Sequence, residues 1–269
     1  MNFDGSAFTA TVGYAAAAVV VALAITFVCA KIAHRHNVID TTWGLLYVVI
    51  AVVVFASSSG HGDGLRRVLL LMLPALWGLR LAFYVGKRSL GKGEDPRYDG
   101  LLDKAKGSRD LYALRMIYSL QGLLALIIAA PILVGAYEGD SVGVIAWIGV
   151  AVWAVGVFFE AVGDAQMGRF RQNTENKGKL IDTGLWRYTR HPNYFGDACI
   201  WWGIFLVAAD ALPGVATIVA PVIMTLLLTK GSGARILEKH MSKRAGWDAY
   251  AARTSMFFPL PPRVKKAVT

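Results

Sequence analysis

The stretch ATVGYAAAAVVVALAITFVCAKIA, residues 10–33, carries no charge before Lys31. A hydrocarbon core of about 30 Å needs about 20 apolar residues in a helix, so this run alone is long enough to cross a bilayer. It is read as a mature helix rather than a cleavable signal, because no basic segment precedes it. Similar runs recur at roughly 42–60, 67–87, 111–136, 143–164, 194–212 and 213–230. They predict an all-α fold, an integral membrane bundle of about seven transmembrane helices. Composition agrees: 55% of the 269 residues are hydrophobic and 17% charged, against about 25% charged in an ordinary soluble domain.

The connectors sort by charge. Lys31 and Arg35 follow the first run; Lys87, Arg88, Lys92, Arg97, Lys104, Lys106 and Arg109 follow the third; Arg169 to Arg190 follow the fifth; and a basic tail begins at Lys230. Segments 137–142 and 209–213 hold no Lys or Arg. The positive-inside rule then places the N-terminus outside and the C-terminus in the cytoplasm, of a bacterial inner membrane in our reading, with Arg66 and Arg67 as an exception at the outer edge. Ala211-Leu212-Pro213-Gly214 reads as a turn making the last two runs an antiparallel hairpin. No repeat or low-complexity segment divides the chain, so one membrane domain is expected, with a substrate side at roughly 10–136 and a cofactor side at roughly 143–262. Cys29 and Cys199 fall in apolar runs without a CxxC or Cys/His cluster, which reads as buried, inert thiols and no metal site.

The connector from Gly168 to Asp197, GRFRQNTENKGKLIDTGLWRYTRHPNYFGD, is dense in hydrogen-bonding groups. Arg169, Arg171, Lys177, Lys179, Arg187, Arg190 and His191 suit a polyanion, either a nucleotide or anionic lipid headgroups. The interleaved Trp186, Tyr194 and Phe195 offer flat faces for a base and favour the nucleotide. Nucleic acid is a poor reading, because the cations lie in short connectors and no recognition module is present. Gly231-Ser232-Gly233 follows an apolar helix, not a strand, and lacks the third glycine of a dinucleotide fingerprint.

The run Gly184-Leu-Trp-Arg-Tyr-Thr-Arg-His-Pro-Asn-Tyr-Phe-Gly-Asp197, with Arg235, Trp247, Tyr250 and Phe258-Pro259, resembles the C-terminal domain of steroid 5-alpha-reductases, most of all their bacterial homologues. Leu90-Gly-Lys-Gly-Glu-Asp-Pro-Arg-Tyr98 is similar to those bacterial members too, so the likeness covers most of residues 38–262. The resemblance implies seven helices whose last members and cytoplasmic loops enclose NADPH. It carries Asp164, Arg171, Asn193, Asp197 and Arg235 into cofactor-binding roles, with Lys179, Tyr188, His191, Tyr194 and Lys239 beside them. Capping competes for Asp164, Asn193 and Asp197. Glu160 and Lys239 stand where animal members are expected to carry an amide and a histidine.

The substrate side departs from the family pattern: where animal members use a Gln-Glu pair in the second helix and a tyrosine in the third, this sequence offers Asp40 near Trp43, and Trp77, Arg80 and Tyr84 in the third run. Arg80 lies too deep to snorkel and should face the bundle interior, toward the cofactor. Tyr98, Asp40 and Tyr84 are the candidate proton donors, Tyr98 first, since an enone oxygen needs a donor that stays neutral near pH 7. The expected function is therefore NADPH-dependent reduction of a carbon–carbon double bond conjugated to a ketone in a lipid-soluble, steroid-like substrate. A methyltransferase using S-adenosylmethionine, which shares the Arg-His-Pro-Asn-Tyr pattern and an Arg235-x-x-Glu238 element, is the alternative. A lipid-binding protein without catalysis is the third. No obligate protein partner is evident.

Overall fold

The computed structural model describes residues 4–231 and 233–263; Ser232, Lys265 and Lys266 of the glycine triplet and basic tail lie outside them. The order is α1 Gly5–Ala33, α2 Val38–Ser57, α3 Gly64–Ser89, α4 Pro96–Leu102, α5 Arg109–Ala113, a π-helical turn Leu114–Tyr118, α6 Ser119–Ile128, α7 Ala130–Gly135, α8 Val144–Gln172, α9 Pro192–Ala208, α10 Leu212–Val215, α11 Val219–Thr229, α12 Ala234–Met241 and α13 Trp247–Arg253. Among the described residues there is no strand, only an isolated bridge between Thr189 and Ser255.

Among the described residues six segments are long and apolar enough to cross a membrane: Gly5–Ala33, Val38–Ser57, Gly64–Ser89, Arg109–Ile128, Val144–Gln172 and Leu212–Met241. The remaining expected span is α9, whose 17 residues rise about 26 Å, short of a full hydrocarbon core. Two boundaries differ in substance from the sequence reading. The fifth helix runs on to Gln172, so Arg169 and Arg171 ride its last turn and are not in a loop. The fourth apolar run is broken, by the π-helical turn and again at Ala129. Cys29 is also exposed rather than buried, while Cys199 is half-buried; Ile25, Val28 and Ile32 share the open surface of α1, which packs along one face only.

The chain divides into two compact units, Met1–Ile148 with Ile204–Ala220, and Gly149–Gly203 with Pro221–Thr269. In the first, α2 and α3 approach backbone to backbone: a Cβ on Gly44 would lie 2.5 Å from the Gly78 carbonyl oxygen. Tyr47 and Trp77, both fully buried, pack beside that crossing with ring centroids 5.5 Å apart.

At the end where α3 begins, Arg66 is fully buried. It donates to Glu138 Oε2 at 2.7 Å, to Asp210 Oδ2 at 3.2 Å and to the Asp140 carbonyl at 3.1 Å. Arg67 reaches the Phe55 carbonyl at 2.6 Å and the Ser58 hydroxyl at 2.9 Å. The two arginines that break the charge pattern are thus consumed locally, one by carboxylates and one by helix-end acceptors.

In the second unit, glycines set the contact between α8 and α9. Gly149, Gly156 and Gly163 recur every seven residues on α8, as do Gly196 and Gly203 on α9. A Cβ on Gly203 would sit 2.6 Å from the Gly149 carbonyl oxygen, and one on Gly156 would sit 2.6 Å from that of Gly196. Small residues at this period let two membrane helices touch along their backbones. The pairing of 149 with 203 and 156 with 196 makes the helices antiparallel, bringing Pro192 and Asn193 against Gly163.

Candidate functional site

In the second unit, the motif from Gly184 to Asp197 is first of all a clamp. Its Trp186 indole donates to the Gly163 carbonyl at 3.1 Å, and the Trp186 carbonyl accepts from the Tyr250 hydroxyl at 2.7 Å. Thr189 Oγ1 donates to the Phe257 carbonyl at 2.8 Å, and Leu260 N donates to the Tyr188 carbonyl at 3.0 Å. Arg190 donates through Nε to Glu238 Oε1 at 2.7 Å and through Nη1 to the carbonyls of Ala251 and Thr254. His191, 1% exposed, brings Nε2 to 3.2 Å of the same Glu238 oxygen and stacks on Tyr194. Arg190 and His191 therefore hold α12 in place. Of the groups that the sequence suggests for a polyanion, these two are bound to protein.

Other candidates lie nearby. Asp164 is buried on α8, two turns before the helix ends, and Asn193 Nδ2 faces its Oδ1 at 3.4 Å. Asp197 follows Asn193 by one turn on α9 and is half-buried. Arg171, Lys179 and Tyr188 are exposed; the Lys179 carbonyl accepts from Arg244 at 3.0 Å. Arg235 and Lys239 share one face of α12 and, with Lys230, His240, Lys243, Gly231 and Ile236, line a groove of about 660 Å³. No carboxylate lines it, because Glu238 is turned to Arg190 on another face of the same helix.

The first unit gathers the proton-donor candidates. The segment Gly93–Arg97 is tied to the start of α2: Glu94 accepts from the backbone of His36 at 2.5 Å and Asn37 at 2.9 Å, and Asn37 Nδ2 donates to the Gly93 carbonyl at 3.1 Å. Asp95 caps α4 through Arg97 N at 2.9 Å, and Pro96 begins the helix with its fixed φ. This places Tyr98, buried, with its hydroxyl donating to Asp40 Oδ1 at 2.5 Å. The other Asp40 oxygen accepts from Arg97 Nη2 at 3.2 Å, and Arg97 also grips Asp95 through two hydrogen bonds at 3.0 Å. Burial, then the Asp40 charge, pushes the Tyr98 hydroxyl above its ordinary pKa, so it is a neutral donor at pH 7. Despite partial burial, the hydrogen bonds from Arg97 hold Asp95 below the usual carboxylate range.

Tyr98 and Asp40, proposed from sequence as separate candidates, are one hydrogen-bonded pair. Tyr84 lies elsewhere on α3, its ring flanked by Arg80 at 6.0 Å and Arg88 at 5.8 Å, one turn to either side. Arg80 belongs to the same unit as the donor candidates, whereas the other cofactor candidates fall in the second unit. Sequence reasoning passed over Glu94 and Glu238. Glu94 stood inside the quoted loop motif, and Glu238 was read only as part of an Arg-x-x-Glu pattern.

The fold and these two sites define an all-helical integral membrane protein with a buried tyrosine bonded to a half-buried aspartate in one unit and a basic groove in the other. The chain belongs to the DUF1295 family, described as proteins of unknown function, whose profile matches residues 26–254. It is 23% identical to an uncharacterized protein of Schizosaccharomyces pombe, C594.04c, over 246 residues, covering 82% of this chain and 72% of the relative. No solved structure matches it.

Proposed function

We propose that this protein is an NADPH-dependent reductase of a carbon–carbon double bond conjugated to a ketone in a lipid-soluble, steroid-like substrate. The observation that carries the reading is the buried Tyr98 hydroxyl, neutral at pH 7 and held at 2.5 Å by Asp40. Such a group suits an enone oxygen, which gains negative charge only as the reaction proceeds. NADPH, which Arg235 and Lys239 would hold by its phosphates, would supply the hydride for the carbon beta to the carbonyl. Asp40 and Arg97 fix the tyrosine, Tyr98 turns its one hydroxyl proton from Asp40 to the developing enolate oxygen, and a second proton then reaches the alpha carbon. The apolar substrate comes from the bilayer.

The groove of the second unit fits the phosphates of the cofactor. Four lysine and arginine side chains line it without a carboxylate, and guanidinium and ammonium groups hold phosphate by charge-assisted hydrogen bonds. S-adenosylmethionine has no phosphate to place there. The detergent-solubilised protein should be stabilised against heat by NADPH and not by S-adenosylmethionine. Replacing Arg235 with Ala should weaken NADPH binding by roughly 1.5–3 kcal/mol, the range for hydrogen bonds to charged groups, with folding retained because Arg235 is exposed. Stabilisation by S-adenosylmethionine alone would replace the reductase with a methyltransferase. Stabilisation by neither, with unchanged affinity in Arg235→Ala, would return the groove to anionic lipid.

The reading also sets an orientation, N-terminus outside and C-terminus in the cytoplasm, supported by the basic connectors and by the neutralisation of Arg66 within its ion cluster. Tags placed before residue 8 and after residue 263 should be accessible from opposite sides of sealed vesicles. Labelling of both from one side contradicts it.

A further inference from the structure

A chain of hydrogen bonds in the first unit leads from water into the protein interior and plays no part in the site just described. Its outer members are Lys31 and Asp110, whose side chains are 55% and 40% exposed and 3.1 Å apart. Asp110 Oδ1 lies 3.2 Å from His36 Nε2, and the His36 side chain is 8% exposed. His36 Nδ1 lies 3.3 Å from the hydroxyl of Tyr118, which is 1% exposed. Phe27 closes the apolar side, 5.4 Å from the Tyr118 ring and 6.0 Å from the imidazole.

The π-helical turn ends at Tyr118. Such turns are rare and are frequent at functional sites. Three residues on, along the same side of the helix, the Gln121 side chain lies against the Tyr98 hydroxyl. Its Oε1 atom is buried with no hydrogen-bond donor. The inner end of the chain therefore stands one helical turn from the side chain that meets Tyr98.

We infer that Asp110, His36 and Tyr118 form a proton-supply line in which His36 is the relay residue. The inference rests on the reductase reading, which needs one proton from water for each hydride delivered. A proton from water beside Asp110 arrives on Nε2 of neutral His36. The Nδ1 proton passes to the Tyr118 oxygen as the Tyr118 hydroxyl releases its own proton inward, to the alpha carbon of the enolate. One proton enters, one leaves, and the imidazole ends neutral with the proton on Nε2. The first tautomer returns when the ring turns to bring Nδ1 to water, where Nδ1 takes up a proton as Nε2 releases one. The groups facing the relay are Asp110 with Lys31 behind it, Tyr118, and Glu94, which accepts from the His36 backbone; Cys29 lies near Tyr118.

The test uses the full chain in liposomes, with NADPH and a steroid enone. Tyr118→Phe and His36→Gln should each lower kcat about tenfold or more, in keeping with assisted proton transfer. They should leave NADPH affinity within about twofold, flatten the pH dependence of kcat and raise its solvent deuterium isotope effect. Asp110→Asn should do the same more weakly. Tyr118→Phe keeps the ring that packs on Phe27, so it serves if His36→Gln does not fold. Full turnover in Tyr118→Phe overturns the inference, and so does lost turnover with an unchanged pH profile and isotope effect, which would mark a packing role. Absence of NADPH-dependent reduction in the unsubstituted protein defeats the reductase reading itself, and the relay falls with it.

Discussion

Replacing Tyr98 with Phe is expected to lower the turnover of a steroid enone by about 100-fold or more, in the range of general acid effects, while NADPH affinity stays within a few-fold. The asymmetry follows from when the hydrogen bond matters. A hydroxyl facing a ketone oxygen gains most as that oxygen becomes an enolate, so its loss raises the barrier without disturbing the cofactor's ground state. The ring is buried on α4 and its capping bonds belong to Asp95 and Arg97, so Phe keeps the packing. Because Tyr98 donates to Asp40 at 2.5 Å, Asp40→Asn disturbs the same pair, and the double variant should lose little more than the worse single one. Steady-state kinetics with separate NADPH binding decides the matter. Full activity in Tyr98→Phe beside a large loss in Asp40→Asn would move the acid to α2.

Arg66→Ala should destabilise the protein by about 3–5 kcal/mol, the cost of leaving a buried ionic partner uncompensated. Two carboxylates depend on this guanidinium. Asp210 also accepts from the backbone N–H groups of Gly143 and Ala146 where α8 begins, so the loss spreads from α3 to the start of α8. Two acids sharing one cation leave a net negative charge. Burial pushes Glu138 up to about 7 against the opposing charge of Arg66. Between its ordinary value of 4.5 and about 7, the folded protein holds a proton that the unfolded chain has released. The stabilisation from Glu138 is thus fully present below the ordinary value and lost as pH rises through about 7. Unfolding in detergent should show stability declining over that window, a decline absent from Glu138→Gln. A flat profile in the unsubstituted protein, or Arg66→Ala within 1 kcal/mol of it, would refute this account.

Much of the fold is legible in hydropathy, because a bilayer demands uninterrupted apolar length and leaves few alternatives. The π-helical turn is not, since Leu114–Tyr118 has the same composition as an ordinary turn of a span. The sites divide in the same way. Tyr98 and Asp40 each invite suspicion as polar groups at span mouths, but 58 residues separate them and only the fold makes them partners. His36 and Asp110 lie among many connector charges, and their depth gradient exists only in three dimensions. The Arg66 cluster was within reach: the exceptional outer cation and the acids Glu138 and Asp210 all stand at the same expected ends of spans.

The clamp around Trp186 and Arg190 bears on how the protein is made. Residues 186–190 leave the ribosome before Glu238, Tyr250, Ala251, Thr254, Phe257 and Leu260, which bind them. A stop codon just after Met241 would spare all six candidate spans yet strip the clamp of every partner beyond Glu238. Insertion and completion are therefore separate events, and a translocon would release as finished a chain whose second unit cannot yet close on itself.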